Sequence, residues 1–221
     1  MADVIIFGAR DTASLAHFYL RNDSPHTVRG FTVNAEYLKD TGESFEGLPV
    51  VAFEEVAQHF PPDSVRAFAP LTARRMNRLR EQVYNSFKSA GYEFISYISS
   101  RATNFTEGRI GDNCFILEDN TLQPFCTIGN NVVLWSGNHI GHHSTINDHV
   151  FVTSHVVISG HCNIGRYCFL GVNATIKDQL TLGEGTLVGM GANVTKNTDP
   201  WTIYKADATR ASKVSSADID F

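Results

Sequence analysis

The chain has 221 residues, 43% of them hydrophobic and 19% charged, an ordinary balance for a soluble protein able to bury one large core or two small ones. A formal net charge of −5 gives no general attraction for a phosphate backbone or an anionic membrane surface, which argues against nucleic acid as a partner. Met1 to Gly8 carries no basic leader and no run approaches the roughly 20 apolar residues that span a bilayer, so neither membrane insertion nor export is expected, and the expected location is cytoplasmic.

Val4 to Phe7 is a continuous apolar run that stops at Gly8, and Ala13 to Leu20 sets Leu15, Phe18 and Tyr19 at helical spacing, which predicts a strand, a turn and a helix. Val28 to Val33 predicts a second strand, Leu48 to Phe53 an apolar segment leading into a short helix over 54–59, and Val65 to Ala69 a further strand. A helix over 73–90 follows with Met76, Leu79, Val83 and Phe87 on one face, and Phe94 to Ile98 closes the series as a strand. Strands alternating with helices predict a small Rossmann-like α/β domain with a parallel sheet over residues 1–98. Ligands of such a sheet bind beyond the C-terminal ends of its strands, and Gly8 to Ala13 is the turn where the first strand meets a helix N-terminus. Gly8, Arg10 and Ala13 stand where a dinucleotide fingerprint needs three glycines, so NAD is not expected, although Arg10 suits a phosphate group. The arginines at 74, 75, 78 and 80 lie on the helix whose apolar face is already assigned and read as a solvated face.

Residues 99–108 are polar and aperiodic and mark the boundary to a second domain over 99–221. From Ile110 every sixth residue is branched and aliphatic: Ile110, Ile116, Leu122, Ile128, Leu134, Ile140, Ile146, Val152, Ile158, Ile164, Leu170, Ile176, Leu182, Val188 and Val194. A strict period of this kind marks a solenoid. Six residues make one short strand and a corner, so three hexads close an eighteen-residue coil into a triangular prism whose aliphatic stack forms a shared core. The period ends after Thr195, and the tail from Asp199-Pro200-Trp201 is expected to close the open end.

Cys114, Cys126, Cys162 and Cys168 all fall at the fifth, small-residue position of the hexad and read as buried fillers rather than as metal ligands or disulfides. Six of the nine histidines lie between His139 and His161, which raises the question of a metal. On the hexads His142, His143 and His161 share one prism face, His139 and His155 a second and His149 the third, with His143 and His161 the only stacked pair. Two ligands fall short of the usual three of a catalytic zinc, so no metal is expected. His142 is the candidate general base for an acyl transfer, because a neutral imidazole is matched to removing a proton near neutral pH. Eighteen residues on stands Gly160, whose N–H is placed beside His142 and suits an oxyanion.

The hexads resemble those of the hexapeptide-repeat acyltransferases, whose β-helix is left-handed. Over nearly its whole length the chain is similar to bacterial sugar-nucleotide acetyltransferases of the sialic-acid O-acetyltransferase-like group, a small α/β domain followed by a left-handed parallel β-helix. That resemblance implies an acetyl-CoA-dependent enzyme acting on a nucleotide-linked amino-deoxysugar for surface polysaccharide of O-antigen type, with N-acetylation favoured over O-acetylation, and a homotrimer. The family's histidine–acid motif falls on His142-His143-Ser144-Thr145-Ile146-Asn147, so His142 matches the base and His143 stands where the acid would be. The resemblance places acetyl-CoA at Phe151, Gly160, Val172 and Met190, mostly through backbone, in a cleft between subunits, and the acceptor at Gly8, Ala9, Arg10, Asn34 and Thr72. The alternative outside acyl transfer is a trimeric metalloenzyme like the β-helical carbonic anhydrases, and a third reading is a non-catalytic β-helical scaffold.

Overall fold

The computed structural model describes residues 1–219. The first domain runs β1 (Asp3–Phe7), α1 (Asp11–Asn22), β2 (Thr27–Val33), α2 (Ala35–Thr41), β3 (Ser44–Phe45), β4 (Leu48–Ala52), α3 (Val56–His59), β5 (Arg66–Phe68) and α4 (Arg78–Ser89). The sheet order is β3-β4-β2-β1-β5, parallel except for the β3–β4 hairpin. Central β1 is apolar without alternation because both faces are covered. Val4 and Ile6 pack with Ala13, Ala16 and Leu20 of α1, while Ile5 packs with Val83 and Phe87 of α4. Strand β3 and helix α2 lie in a polar segment without an apolar period, and α2 buries no residue, so neither has a hydrophobic signature in the sequence.

Two expectations for the 73–90 segment need correction. The helix starts at Arg78, because Arg75, Met76 and Asn77 form a left-handed turn with φ of 54°, 50° and 65°. That turn is moulded onto the second domain: buried Asn77 donates from Nδ2 to the carbonyls of Tyr167 at 2.9 Å and Cys168 at 3.2 Å. The arginine run is not a uniformly solvated face either. Arg80 is fully buried, with Nη2 donating to the carbonyls of His149 at 2.8 Å and Val150 at 3.2 Å and its guanidinium 5.4 Å from the Phe151 ring centre. Burial lowers its pKa to about 9. It pins α4 to the second domain.

The second domain is a three-sided parallel β-helix of two-residue strands. Phe115-Ile116, Val133-Leu134 and Phe151-Val152 pair in register eighteen residues apart, as do the strands of the other two sides. Among the described residues the sides hold seven, six and four strands. Ile116 to Val194 of the hexad series are at most 3% exposed and form one continuous core, and all four cysteines are free and buried within it. The seven-stranded side begins at Tyr97-Ile98, which pairs with Phe115-Ile116, while Phe94 bridges Ala67. Residues 94–98 therefore belong partly to each domain. Ile203-Tyr204 pairs with Leu187-Val188, and 205–219 are exposed.

A second period of six runs beside the first. Asn113, Asp119, Phe125, Asn131, His143, His149, His155, His161, Tyr167, Asn173 and Gln179 all have φ between 53° and 68°, with Gly137, Gly185 and Gly191 continuing the series. This is the left-handed corner of each hexad, where Gly, Asn, Asp and His are favoured. Four of the six clustered histidines thus occupy a position that backbone conformation alone explains. His142 does not.

A third period, of eighteen, decides how the domains meet. The outward residue of each strand on the seven-stranded side is apolar, at Phe115, Val133, Phe151, Phe169 and Leu187, whereas the other sides show mostly Thr, Asn and His there. The first domain covers this side: Phe115, Val133 and Phe151 share one core with Val4, Ile6, Phe68 and Tyr97, and Phe169 stacks on Phe151 at 5.7 Å.

Candidate functional site

The prism has three corners, and topology fixes what lies at each. Leaving the seven-stranded side, the chain turns through residues 136, 154, 172 and 190 into the six-stranded side; leaving that, through 124, 142, 160 and 178 into the four-stranded side; and from there through 130, 148, 166 and 184 back. His142 and Gly160 are neighbours on the corner opposite the side that the first domain covers. Val172 and Met190 are neighbours on a different corner, 37% and 74% exposed.

At the His142 corner the sequence stacks aromatic rings. Phe125 lies 4.6 Å from His143, and His143 lies parallel to His161 at 4.8 Å and 11°. His142 joins them from one residue away: its Nδ1 is 3.1 Å from Nδ1 of His143, and its ring centre is 5.0 Å from that of His161. The expectation that only His143 and His161 meet within one subunit is therefore corrected. His142 projects back over the neighbouring coil, and one ring nitrogen from each of the three histidines lies within 4.8 Å of the others. Loss of water, with the neighbouring His161, His142 and Arg109, disfavours the charged form of His143. Either ring can be the donor in this pair; in the tautomer with the proton on Nδ1 of His142, a neutral His143 accepts it and Nε2 of His142 carries the lone pair. The main chain of His142 is held by its N–H donating to Gln123 Oε1 at 2.9 Å.

Gly160 is required by this arrangement. A Cβ there would stand 2.8 Å from Cε1, 3.0 Å from Nε2 and 3.2 Å from Nδ1 of His142, so the imidazole occupies the space of the missing side chain. Phe151 turns its side chain inward. It is 6% exposed between Phe169 and Arg80, so its side chain belongs to the interdomain core.

In the first domain Gly8 follows β1, Asn34 follows β2 and Thr72 lies four residues beyond β5, so all three sit along the C-terminal edge of adjacent strands. Gly8 has φ of 109° and its N–H donates to Thr32 O at 2.8 Å, which turns the chain through Ala9 to an exposed Arg10 at the start of α1. Asn34 lines a small cavity of about 60 Å³ with Phe7, Phe53, Leu79 and Gln82, and the N-terminus of α2 beside it is tied to Glu54 Oε2. A larger cavity of about 410 Å³ between Tyr19, Asp23, Arg101 and Glu118 had no signal in the sequence. It lies at the far end of α1, roughly 18 Å of helix from Gly8, and is not joined to the strand edge.

The family model for the bacterial transferase hexapeptide, six repeats, matches residues 108–141. None of the curated proteins compared matches the chain. Among solved structures, a mutant of perosamine N-acetyltransferase from Caulobacter crescentus in complex with CoA and GDP-perosamine superposes with a TM-score of 0.82 at 20% identity over 93% of this chain and 94% of that one. The acetyltransferase domain of PglB from Neisseria gonorrhoeae gives 0.77 at 17% identity over 93% and 97%, and WeeI from Acinetobacter baumannii 0.77 at 19% over 92% and 96%. Agreement of this extent covers both domains and their connection, and the β-helix is left-handed as expected. Residues 108–141 are thus similar to the bacterial transferase hexapeptide repeat, and over more than nine-tenths of its length the chain has the fold of these structures, an α/β domain seated on one side of a left-handed β-helix.

Proposed function

We propose that the protein is an acetyl-CoA-dependent acetyltransferase whose acceptor is an amino group on a nucleotide-linked deoxysugar, used for surface polysaccharide of O-antigen type. The observation that carries the reading is His142 at an exposed corner, seated in the space that glycine leaves at 160. The Caulobacter structures add support: they hold CoA and GDP-perosamine together, and two of them are mutants at a histidine. Acetyl-CoA supplies the thioester carbonyl. As the acceptor nitrogen forms its bond to that carbon, Nε2 of His142 takes the surplus proton, the Gly160 N–H faces the carbonyl oxygen, and the proton passes on to the sulfur as the C–S bond breaks. An O-acetyl product would use the same groups with a hydroxyl acceptor.

Topology argues for a shared site. The acceptor edge, with Gly8, Ala9, Arg10, Asn34 and Thr72, belongs to the domain on the seven-stranded side, and His142 lies on the corner opposite it. Residues Val172 and Met190, with the Phe151 backbone, are the proposed acetyl-CoA contacts beside Gly160, and they too lie off the His142 corner. A homotrimer that sets the His142 corner of one subunit against the acceptor domain and Val172 corner of the next joins all of them.

The test is acetyl transfer from acetyl-CoA to a panel of nucleotide-linked amino sugars and their hydroxyl counterparts, read by mass spectrometry. An acetylated amino sugar whose formation His142→Asn abolishes is the expected result. No transfer to any member, with acetyl-CoA bound, would remove the reading.

A further inference from the structure

The three imidazoles at the His142 corner are arranged in a way that proton transfer does not require. General-base chemistry needs His142 and one partner to fix its tautomer, yet His161 is brought within the same 4.8 Å group, and no carboxylate among the described residues forms an ion pair with any of the three. All three are exposed. A tetrahedral zinc with Zn–N bonds of about 2.0–2.1 Å sets its ligand nitrogens about 3.3 Å apart. The Nδ1 atoms of His142 and His143, 3.1 Å apart, already have that spacing. His161 closes the remaining gap by turning an exposed ring, and the open side leaves a fourth position for water.

We propose that His142, His143 and His161 form a binding site for a divalent transition-metal ion, zinc fitting best, and that filling it switches off the acetyl transfer assigned above. The switch rests on that assignment; the site itself does not. Its chemistry is tautomeric. With Nδ1 of His142 bound to the metal, the neutral imidazole carries its one proton on Nε2, the nitrogen proposed to act as base beside Gly160, so it has no lone pair with which to accept another. The metal also replaces the hydrogen bond between His142 and His143. Metal and acceptor amine therefore compete for one imidazole, and the enzyme is active when the site is empty of metal.

The experiment uses the untagged full-length protein, stripped with a chelator and titrated with zinc chloride by calorimetry, with cobalt(II) as a spectroscopic probe. Expected are about one zinc per chain, the visible absorption of four-coordinate cobalt, inhibition of transfer and recovery on adding EDTA. His161→Asn should weaken zinc binding at least tenfold and leave transfer resistant to zinc, each rate being compared with the same variant's zinc-free rate. Asparagine already occupies this left-handed register at Asn113, Asn131 and Asn173, so the variant keeps the corner's conformation. Absence of stoichiometric zinc binding, or binding unchanged in His161→Asn, overturns the site. Zinc bound with undiminished transfer overturns the switch. Because calorimetry reads binding without turnover, full activity in His142→Asn would remove the base, and the switch with it, while the binding result still decides the site.

Discussion

The imidazole of His142 stands where a side chain at position 160 would be, with Cε1 2.8 Å from the place of the absent Cβ. Gly160 is not in a left-handed conformation, so alanine fits its backbone and the whole consequence of Gly160→Ala falls on the histidine. Displacing a base by about 1 Å costs on the order of 10²-fold in rate. Turnover of Gly160→Ala is expected to drop by about that factor with little change in thermal unfolding; unchanged turnover would separate Gly160 from the chemistry.

His142→Asn is expected to lower turnover by about 10²–10⁴ while leaving acetyl-CoA affinity nearly intact, since the imidazole contributes to proton transfer and not to holding the donor. His143→Asn keeps the left-handed backbone and removes only the partner of Nδ1, so its loss should be smaller. Steady-state kinetics with both substrates varied distinguish the two. Equal losses in both variants would mean that the pair acts as one unit.

Much of the fold was legible because the hydrophobic effect writes it periodically: Ile116, Leu134, Val152 and the rest point inward at every sixth position, and the cysteines fill the small position beside them. Two further periods were present and carried different physics. The corner residues His143, His149, His155 and His161 share a positive φ, so a histidine-rich stretch that suggests chemistry is in part a conformational requirement. Phe115, Val133, Phe151 and Phe169, eighteen apart, announce the side that the first domain covers, and they also explain why Phe151, expected from the resemblance to meet the cofactor mostly through backbone, has its side chain in the core. Arg80 was not legible. Helical spacing groups it with exposed Arg74, Arg75 and Arg78, and only the docking of α4 on the carbonyls of His149 and Val150 buries it. The trio at the site was half legible: stacking of His143 on His161 follows from the eighteen-residue repeat, whereas the reach of His142 back to both depends on side-chain direction, which spacing does not encode.

Phe151 permits a direct test of that placement. Phe151→Ala removes a ring 6% exposed and stacked on Phe169, and it should cost about 3 kcal/mol in unfolding free energy. The Michaelis constant for acetyl-CoA should stay within about twofold. A large rise in that constant at unchanged stability would put the side chain on the cofactor instead.

Stability should fall with acid through His149. This residue is 4% exposed, stacks on Tyr167 at 5.4 Å, and has Nδ1 2.9 Å from the Asn131 amide. Burial holds its pKa at about 4 although Glu81 and Asp148 favour the charged form, while Arg80 and Arg166 oppose it. The unfolded chain takes up the proton near pH 6.5, so the contribution is complete above that pH and is lost as the pH falls toward 4. Its size is on the order of 3 kcal/mol. Urea midpoints at pH 7.5, 5.5 and 4.5 should decline in the wild type and decline less in His149→Asn. Hydrogen-bonded Asp23, with a pKa of about 2, acts in a lower window, below about pH 4, and leaves this comparison undisturbed.

The shared site makes a prediction that no single variant can. Arg10 lies in the domain seated on the seven-stranded side and His142 on the corner opposite, so each proposed site takes Arg10 from one subunit and His142 from another. Arg10→Ala should weaken acceptor binding by about tenfold to a hundredfold, the scale of a charge-assisted hydrogen bond. At an acceptor concentration too low for that variant to work, Arg10→Ala and His142→Asn are each expected to be nearly inactive alone. Co-expressed in equal amounts, they assemble at random, and about one site in four then pairs an intact Arg10 with an intact His142 across the interface. Recovery of roughly a quarter of wild-type turnover is the expected outcome, measured on trimers whose composition is checked by native mass spectrometry. If both residues served the same site within one chain, every site in the mixture would carry one defect and turnover would stay at the level of the separate variants.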